Sequence, residues 1–199
     1  MNPRTTLYSL ILAFLTMLSA TAGKNTVIIL DAGHGGKDNG AVWGGVREAT
    51  LTLSVAKKVE AILKQKGVPV RMTRRRSTTY FSPTQRAVMA NRYSDAIFVS
   101  IHFNASRNTK AQGVETFYAS AKGRAVAANI QRHLVAKVKT RNRGVKYGLK
   151  YAVINKTKCP AVIVECGFIS NSWERKRCNT GWYQTLAARG IAEGIIRSR

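Results

Sequence analysis

The sequence predicts a single α/β domain in which a mainly parallel or mixed sheet of about six strands is flanked by helices. The chain has 199 residues, which is enough for one ordinary domain with a hydrophobic core but too few for two large ones. Short β-rich runs alternate with helical patterns, as is typical of a sheet covered by helices on both faces. The strand candidates are residues 26–30, 68–73, 96–101, 114–118, 149–154 and 161–164.

Four helices are predicted from apolar residues at a spacing of three or four. The first covers about residues 48–66 and ends before Gly67, a residue type that commonly terminates helices. The second covers residues 82–92, where a serine is followed by proline and, three positions on, by glutamine, the pattern of a capping box. Residues 126–138 and 186–196 carry the other two apolar faces.

The N-terminus has the order of a secretory signal. Arg4 precedes an apolar run at residues 7–18, and small residues follow up to Ala22. A membrane-spanning helix needs about 20 apolar residues, whereas this run has about a dozen. We therefore predict a signal peptide at residues 1–22, a working domain at 23–199, and no stable membrane span after cleavage; an uncleaved signal anchor is the alternative.

The charge predicts affinity for polyanions. The formal net charge is +24, and because Arg4 is the only charged residue of the signal, the mature domain retains +23. The basic clusters at residues 74–76 and 137–146 lack regular aromatic interleaving. A stacking surface for nucleic acid is therefore not indicated, and a solvated basic surface is the plainer interpretation.

Chemically distinctive residues follow three of the strand candidates. His34 follows the first, His102 follows the third, and Glu165 follows the last, while Glu48 begins the first helix after a glycine-rich loop. Ligand sites of open α/β sheets lie beyond the carboxyl ends of the strands. Imidazole and carboxylate groups are the ligands of catalytic zinc, and one carboxylate can bind metal while the other handles protons. The spacing does not decide which carboxylate has which role.

Residues near these four candidates are expected to shape the backbone or to contact substrate. Asp31 and Asp38 lie beside glycines and are expected to shape turns, with support of the His34 ring as a further possibility. Asn104 is expected to donate a hydrogen bond to substrate. Arg86 is expected to stabilise its helix and loops, and Glu115, inside a strand pattern, is expected to be structural.

These motifs together resemble a known family. They are Asp31-x-Gly33-His34-Gly35-Gly36-x-Asp38-x-Gly40-Ala41, Glu48, Ala90-Asn91, Ser100-Ile101-His102-x-Asn104 and Pro160-Ala161-x-x-Val164-Glu165-x-Gly167-Phe168-Ile169-Ser170-Asn171. Over about residues 25–197 the chain resembles the zinc-dependent N-acetylmuramoyl-L-alanine amidases. The resemblance implies that His34, Glu48 and His102 bind Zn²⁺ and that Glu165 is the catalytic carboxylate.

The implied substrate is peptidoglycan, cleaved between N-acetylmuramic acid and the L-alanine of the stem peptide by an exported enzyme of the periplasm or cell wall. Some relatives carry an inserted helix that blocks the zinc, but the 62 residues between His102 and Glu165 are already taken up by predicted elements. We therefore expect a monomer that is active without an activator, although an unknown activator protein stays possible.

Three other functions remain open. Another zinc amidohydrolase of the envelope would use the same ligands, and a catalytically idle module would use the basic surface for wall binding alone. A thiol nucleophile, Cys166 with His102, is a third alternative, but it leaves His34 and Glu48 without a role. The three cysteines Cys159, Cys166 and Cys178 allow at most one internal bridge.

Overall fold

The computed structural model describes residues 25–199, and its centre is a six-stranded sheet. The predicted signal peptide lies outside the described residues. The strands are β1 (Val27–Ala32), β2 (Val42–Trp43), β3 (Val46–Arg47), β4 (Val70–Met72), β5 (Ala96–Asn104), β6 (Val114–Tyr118), β7 (Asn142–Tyr147) and β8 (Ala161–Phe168). Strands β2 and β3 form a separate antiparallel hairpin.

The large sheet is mixed, in the order β4-β1-β5-β8-β6-β7. Strands β4, β1, β5 and β8 are mutually parallel, β6 is antiparallel to β8, and β7 is parallel to β6. The apolar runs of β1, β5 and β8 are buried on both faces, as expected of central strands. The predicted fold class is confirmed.

Helices cover both faces of the sheet. They are α1 (Glu48–Gln65), α2 (Pro83–Ala90), α3 (Ala121–Val138), α4 (Ala152–Asn155), α5 (Ser172–Cys178) and α6 (Gly181–Ile196). Buried residues of α1, α3 and α6 join the larger hydrophobic core on one face. The smaller core on the other face includes residues of α2 and α4. No helix within residues 25–199 is long and apolar enough to cross a bilayer.

One predicted strand is wrong. Within residues 149–154 the chain forms a turn and then α4, and the sixth strand is β7, in the segment interpreted as a basic cluster. A short apolar run does not distinguish a strand from a buried helical turn. Strand β7 lies at the sheet edge and has no fully buried residue, so it lacks the apolar signal of a strand.

The helix predictions are confirmed in position and differ at their ends. Ser82 and Gln85 form the capping box, with Pro83 as the first helical residue. Helix α6 begins at Gly181, five residues before the predicted apolar face, because Thr180 caps it by accepting a hydrogen bond from the backbone of Tyr183. The short helix α5 was not predicted.

Candidate active site

Three of the four predicted site residues form one cluster. His34 lies in the loop after β1, Glu48 is the first residue of α1, and His102 lies near the end of β5. One potential ligand atom from each residue lies within 4.8 Å of the other two. Glu165 lies on β8 and pairs in register with His102 on β5. The fold therefore brings all four side chains to neighbouring positions at the carboxyl ends of parallel strands.

Glu48 lies between the two imidazoles. Its Oε1 is 3.1 Å from Nε2 of His34 and 2.9 Å from Nδ1 of His102. Its Oε2 accepts a hydrogen bond from the backbone N–H of Ala41 at 2.9 Å. Burial raises the pKa of Glu48, but hydrogen bonds from His102 and His34 outweigh burial and hold this pKa well below its ordinary value. The carboxylate is therefore ionised.

His34 is held in an unusual backbone conformation. Its φ is +60°, in the left-handed region that non-glycine residues rarely occupy. Its carbonyl oxygen accepts a hydrogen bond from Arg86 at 2.7 Å, and its Nδ1 is 2.9 Å from Oδ2 of Asp38. A proton on Nδ1 satisfies the Asp38 contact, so Nε2, which contacts Glu48, is the nitrogen that can give up its proton and bind a metal ion. Asp38 thus both supports the ring and shapes a turn, since its Oδ1 accepts from the Gly40 backbone.

A relay of hydrogen bonds orients His102. Its Nε2 is 3.1 Å from Oγ of Ser100, and that hydroxyl donates to Oδ2 of Asp31 at 2.6 Å. Because the Ser100 proton is used on Asp31, Ser100 Oγ accepts the Nε2 proton of His102. Nδ1, which contacts Glu48, is then the nitrogen that can give up its proton and bind a metal ion. Asp31 is fully buried, and its role is this relay rather than a turn.

Two buried arginines hold the backbone before the cluster. Arg86 donates to the carbonyl of Ala32 at 2.9 Å and pairs with Asp31. Arg74 donates to the carbonyls of Ala32 at 2.9 Å and Gly33 at 2.8 Å. Arg86 therefore stabilises the His34 loop in addition to its own helix. Sequence reasoning missed Arg74, because a run of three arginines does not reveal which one is buried.

The carboxyl of Glu165 is poorly solvated. Its Oε2 is buried, and among residues 25–199 no group makes a hydrogen bond to it. Burial raises the pKa of Glu165 well above its ordinary value, and the negative charges of Glu48 and Glu115 raise it further. A carboxyl with a raised pKa accepts a proton more readily than an ordinary carboxylate, as a general base must.

Two further residues belong to the site's surroundings. Glu115 on β6 pairs in register with Glu165, and Tyr151, just before α4, lines a cavity of about 150 Å³ together with His34 and His102. Tyr151 lies in the segment wrongly predicted as a strand. A larger cavity, of about 740 Å³, lies at the other end of the strands, near Ser94, and contains none of the cluster residues.

Asn104 and Cys166 are candidates for a substrate contact and for a nucleophile, and the structure places both side chains in contact with other parts of the protein. The side-chain amide of Asn104 donates to Oε1 of Glu115 at 2.8 Å, so contact with substrate stays a prediction. Cys166 follows Glu165 and therefore points to the opposite face of the sheet, where it joins the larger core. Burial raises the pKa of its thiol. This location argues against a thiol nucleophile, and Cys159, Cys166 and Cys178 are all free.

The fold and the cluster define an α/β protein whose candidate active groups lie at the carboxyl ends of its strands and include a potential metal centre. The family model described as N-acetylmuramoyl-L-alanine amidase matches residues 28–197. The chain belongs to this family and is a peptidoglycan hydrolase, as the sequence motifs predict.

Individual relatives match the chain over most of its length. The chain is 38% identical to protein YqiI of Bacillus subtilis, covering 84% of this chain and 82% of YqiI. It is 35% identical to the germination-specific N-acetylmuramoyl-L-alanine amidase of the same organism, covering 86% and 78%. The catalytic domain of CwlV from Bacillus (Paenibacillus) polymyxa superposes with a TM-score of 0.83 at 36% identity, covering 86% and 97%. The CwlD amidase of Clostridioides difficile, solved in complex with the GerS lipoprotein, gives 0.81 at 30%, covering 87% and 98%.

Proposed function

We propose that the chain hydrolyses the amide between N-acetylmuramic acid and L-alanine with one zinc ion held by His34, Glu48 and His102. The main support is the cluster itself, in which ligand atoms from three separate elements lie within 4.8 Å. Two imidazoles and one carboxylate form a donor set used by catalytic zinc, which keeps a further position for water or substrate. Asp38 and Ser100 each accept a hydrogen bond from one nitrogen of an imidazole, so the other nitrogen, which faces the cluster, can bind the ion when it gives up its proton. The residues therefore fit the ion.

Glu165 is the group that moves protons in this proposal. Bound zinc would polarise the scissile carbonyl and lower the pKa of water to about 7. Glu165 lies beside His102 in the sheet register, and its Oε2 has no other partner among the described residues. It accepts the proton of the attacking water and delivers it to the leaving nitrogen of L-alanine. Its raised pKa suits both the acceptance and the return of that proton.

The deciding experiment compares Glu165→Gln with Glu48→Gln. Glu165→Gln keeps side-chain size but removes the basic oxygen, so we expect zinc content to stay stoichiometric and turnover to fall by roughly 10²–10⁴-fold or more. Glu48→Gln removes a ligand, so zinc affinity should fall and excess zinc should restore part of the activity. Zinc loss from Glu165→Gln together with zinc retention by Glu48→Gln would reverse the two roles, and full activity of both variants would refute the mechanism.

The product identifies the bond. Purified peptidoglycan is incubated with the mature protein, with zinc or with EDTA, and the fragments are analysed by mass spectrometry. Amidase action gives free N-terminal L-alanine and an intact glycan, whereas a sugar deacetylase releases acetate. Protein that binds zinc and leaves peptidoglycan unchanged would instead be a wall-binding module.

We also propose export through cleavage of residues 1–22, to the periplasm or cell wall. This rests on the charged, apolar and small-residue order of the N-terminus and agrees with the substrate of the family. N-terminal sequencing of protein recovered from the envelope should find a start at or near Gly23. Intact Met1 on the exported form would rule out cleavage.

We further propose that the mature domain acts as a monomer without an activator. Between His102 and Glu165, the helix that lines the small cavity is α4, which has only four residues. It leaves the side chains of His34 and His102 24% and 18% exposed, so the cluster is open to solvent. Because the related CwlD amidase was solved in complex with a lipoprotein, the question needs a direct test. Zinc-loaded monomer should release fragments unaided, and activity that arises only with an added partner protein would contradict this proposal.

A further inference from the structure

A row of charged side chains continues beyond Glu165 across the sheet. In register, His102 on β5 pairs with Glu165 on β8, and Glu165 pairs with Glu115 on β6. Residues that pair in register point to the same face of the sheet. Glu115 therefore lies directly opposite Glu165, and the Cβ atoms of such a pair are about 5 Å apart.

Glu115 carries two cations on one oxygen. Its Oε2 lies 2.7 Å from Nε of Arg143 and 2.6 Å from Nζ of Lys146, and its Oε1 accepts from Asn104. The Glu115 side chain is only 5% exposed, whereas Arg143 is 27% and Lys146 is 38% exposed. Among the ion pairs of residues 25–199, neither cation has a second carboxylate. The cluster thus has an excess of one positive charge on its solvent side.

An irregularity of β7 directs both cations to the same carboxylate. Residues three apart in a regular strand, as Arg143 and Lys146 are, point to opposite faces of the sheet. Here Val114 pairs with Asn142 and Thr116 pairs with Val145, so β7 has one extra residue over this interval. Gly144, at φ +78°, provides the left-handed conformation for this bulge. Bulges of this kind commonly re-aim side chains beside active sites.

Aromatic rings connect the cation pair to the cavity at the metal cluster. The Lys146 ammonium lies 5.9 Å from the ring centre of Phe117, and that ring contacts Tyr151 edge to face at 5.0 Å between centres. Tyr151 lines the cavity that also contains His34 and His102. Lys146 is therefore linked to the cavity by a continuous series of ring contacts, and Arg143 lies beside it on the same carboxylate.

We propose that Arg143 and Lys146 form a subsite for a free carboxylate of the stem peptide, located on the residue that follows L-alanine. The inference rests on the amidase function proposed above. A chain extends by about 3.3–3.6 Å per residue, so a carboxylate on the second residue lies about 7 Å from the scissile nitrogen. The cationic groups contact Glu115, which lies one strand spacing of about 4.8 Å beyond Glu165, a separation comparable to this reach. Glu115 holds the two cations in place and leaves their exposed sides to the substrate.

The test uses two muramyl tripeptides that differ only in the second residue, D-glutamate with a free α-carboxylate or D-isoglutamine with a carboxamide, followed by L-lysine with an amidated C-terminus in both. The readout is the ratio of kcat/KM for the carboxylate substrate to kcat/KM for the amide substrate. We expect this ratio to be roughly 10- to 100-fold for the zinc-loaded wild-type protein, the range of a hydrogen bond between charged groups.

Removal of the cations should abolish this preference. In Arg143→Gln/Lys146→Gln the ratio should fall towards one, because KM rises more for the carboxylate substrate than for the amide substrate. The control is Lys122→Gln, an exposed cation at the start of α3 whose loss changes the net charge without touching the row. An equal loss on both substrates would show that the pair only supports the fold, and an unchanged ratio would show that it does not contact substrate; either result overturns the proposal.

A second variant is expected to increase the carboxylate preference, a result that loss of folding cannot produce. Glu115→Gln keeps the shape of the side chain and removes the charge that competes with the substrate for Arg143 and Lys146. The carboxylate preference should therefore increase. A decrease in the carboxylate preference would mean that Arg143 and Lys146 act to stabilise Glu115 and do not bind the substrate, and the proposal would be wrong.

A binding measurement separates this proposal from the amidase reaction. NMR titration follows the peptides L-alanyl-γ-D-glutamyl-L-lysine amide and its D-isoglutamine counterpart, neither of which contains a scissile muramyl bond. Tighter binding of the carboxylate peptide to the wild-type protein, lost in the double variant, supports the subsite even if no muramyl substrate is hydrolysed. Equal binding of the two peptides to the wild-type protein refutes the subsite even if hydrolysis is observed.

Discussion

A single methyl group at Gly33 should displace His102 and disable the metal cluster. A Cβ built on Gly33 lies 2.4 Å from Cε1 and 2.5 Å from Nε2 of His102, whereas ordinary contact begins at 3.4 Å. The imidazole must therefore move by about 1 Å, and this movement breaks its hydrogen bond to Ser100 and misdirects Nδ1. A misplacement of about 1 Å at a reacting centre costs about 10²-fold in rate. We expect Gly33→Ala to lose activity by about that factor and to bind zinc more weakly.

The matched control is Gly181→Ala at the start of α6. No atom lies within 4 Å of a Cβ built there, and Gly181 does not have a left-handed φ. Both variants are measured for muropeptide turnover, for zinc affinity by competition with a chromogenic chelator, and for thermal unfolding. Gly181→Ala should match the wild-type protein in turnover and zinc affinity. Wild-type turnover and zinc affinity in Gly33→Ala would show that the position of His102 does not matter, and the proposed ligand set would then be refuted.

Three further predictions concern stability and adsorption. Phe98 lies in β5 and is fully buried, so Phe98→Ala should lower the free energy of unfolding in urea by about 3–5 kcal/mol. A loss below about 1 kcal/mol would contradict the described core. Arg75 and Lys64 hold the pKa of Glu60 below its ordinary value, so the stability from this group is present above pH 4.3 or so and is lost as the pH falls through the lowered pKa. Glu60→Gln should therefore be less stable than wild type at pH 7, by under about 1 kcal/mol because Arg75 is 54% exposed. The difference should shrink as the pH falls through the lowered pKa, and a constant difference would refute this. Adsorption to whole sacculi should weaken between 0.1 and 1 M salt as the Debye length shrinks from about 10 to 3 Å, while turnover of a soluble muropeptide should not fall as steeply.

Local patterns determined most of the secondary structure and the identity of the cluster residues. The apolar runs of β1, β5 and β8 and the apolar spacing in α1 and α3 reflect burial that repeats along the chain, so they can be read without a fold. The order of elements then implies that residues just after parallel strands meet at one edge of the sheet. These two signals are enough to bring His34, His102 and Glu165 into one group.

Edge positions and buried charges required the tertiary structure. Strand β7 is polar because one of its edges faces solvent, and residues 149–154 are apolar because α4 packs against the smaller core, so hydrophobicity alone assigned the strand to the wrong segment. Arg74 looks like its neighbours in a run of three arginines and is distinguished only by the carbonyl groups that it meets at the end of β1.

The roles of the carboxylates show most clearly what the sequence and the tertiary structure each decide. The sequence predicted that Glu48 and Glu165 belong to one site, because Glu48 comes after the glycine-rich loop that contains Gly40, Gly44 and Gly45, and Glu165 lies near the end of a strand candidate. Their electrostatic difference depends on through-space neighbours: two imidazoles lower the pKa of Glu48, while burial and two nearby carboxylates raise that of Glu165. Glu115 acquires its place only through strand pairing and the β7 bulge. Charges and hydrogen bonds act across distances in space, and only the folded chain determines those distances.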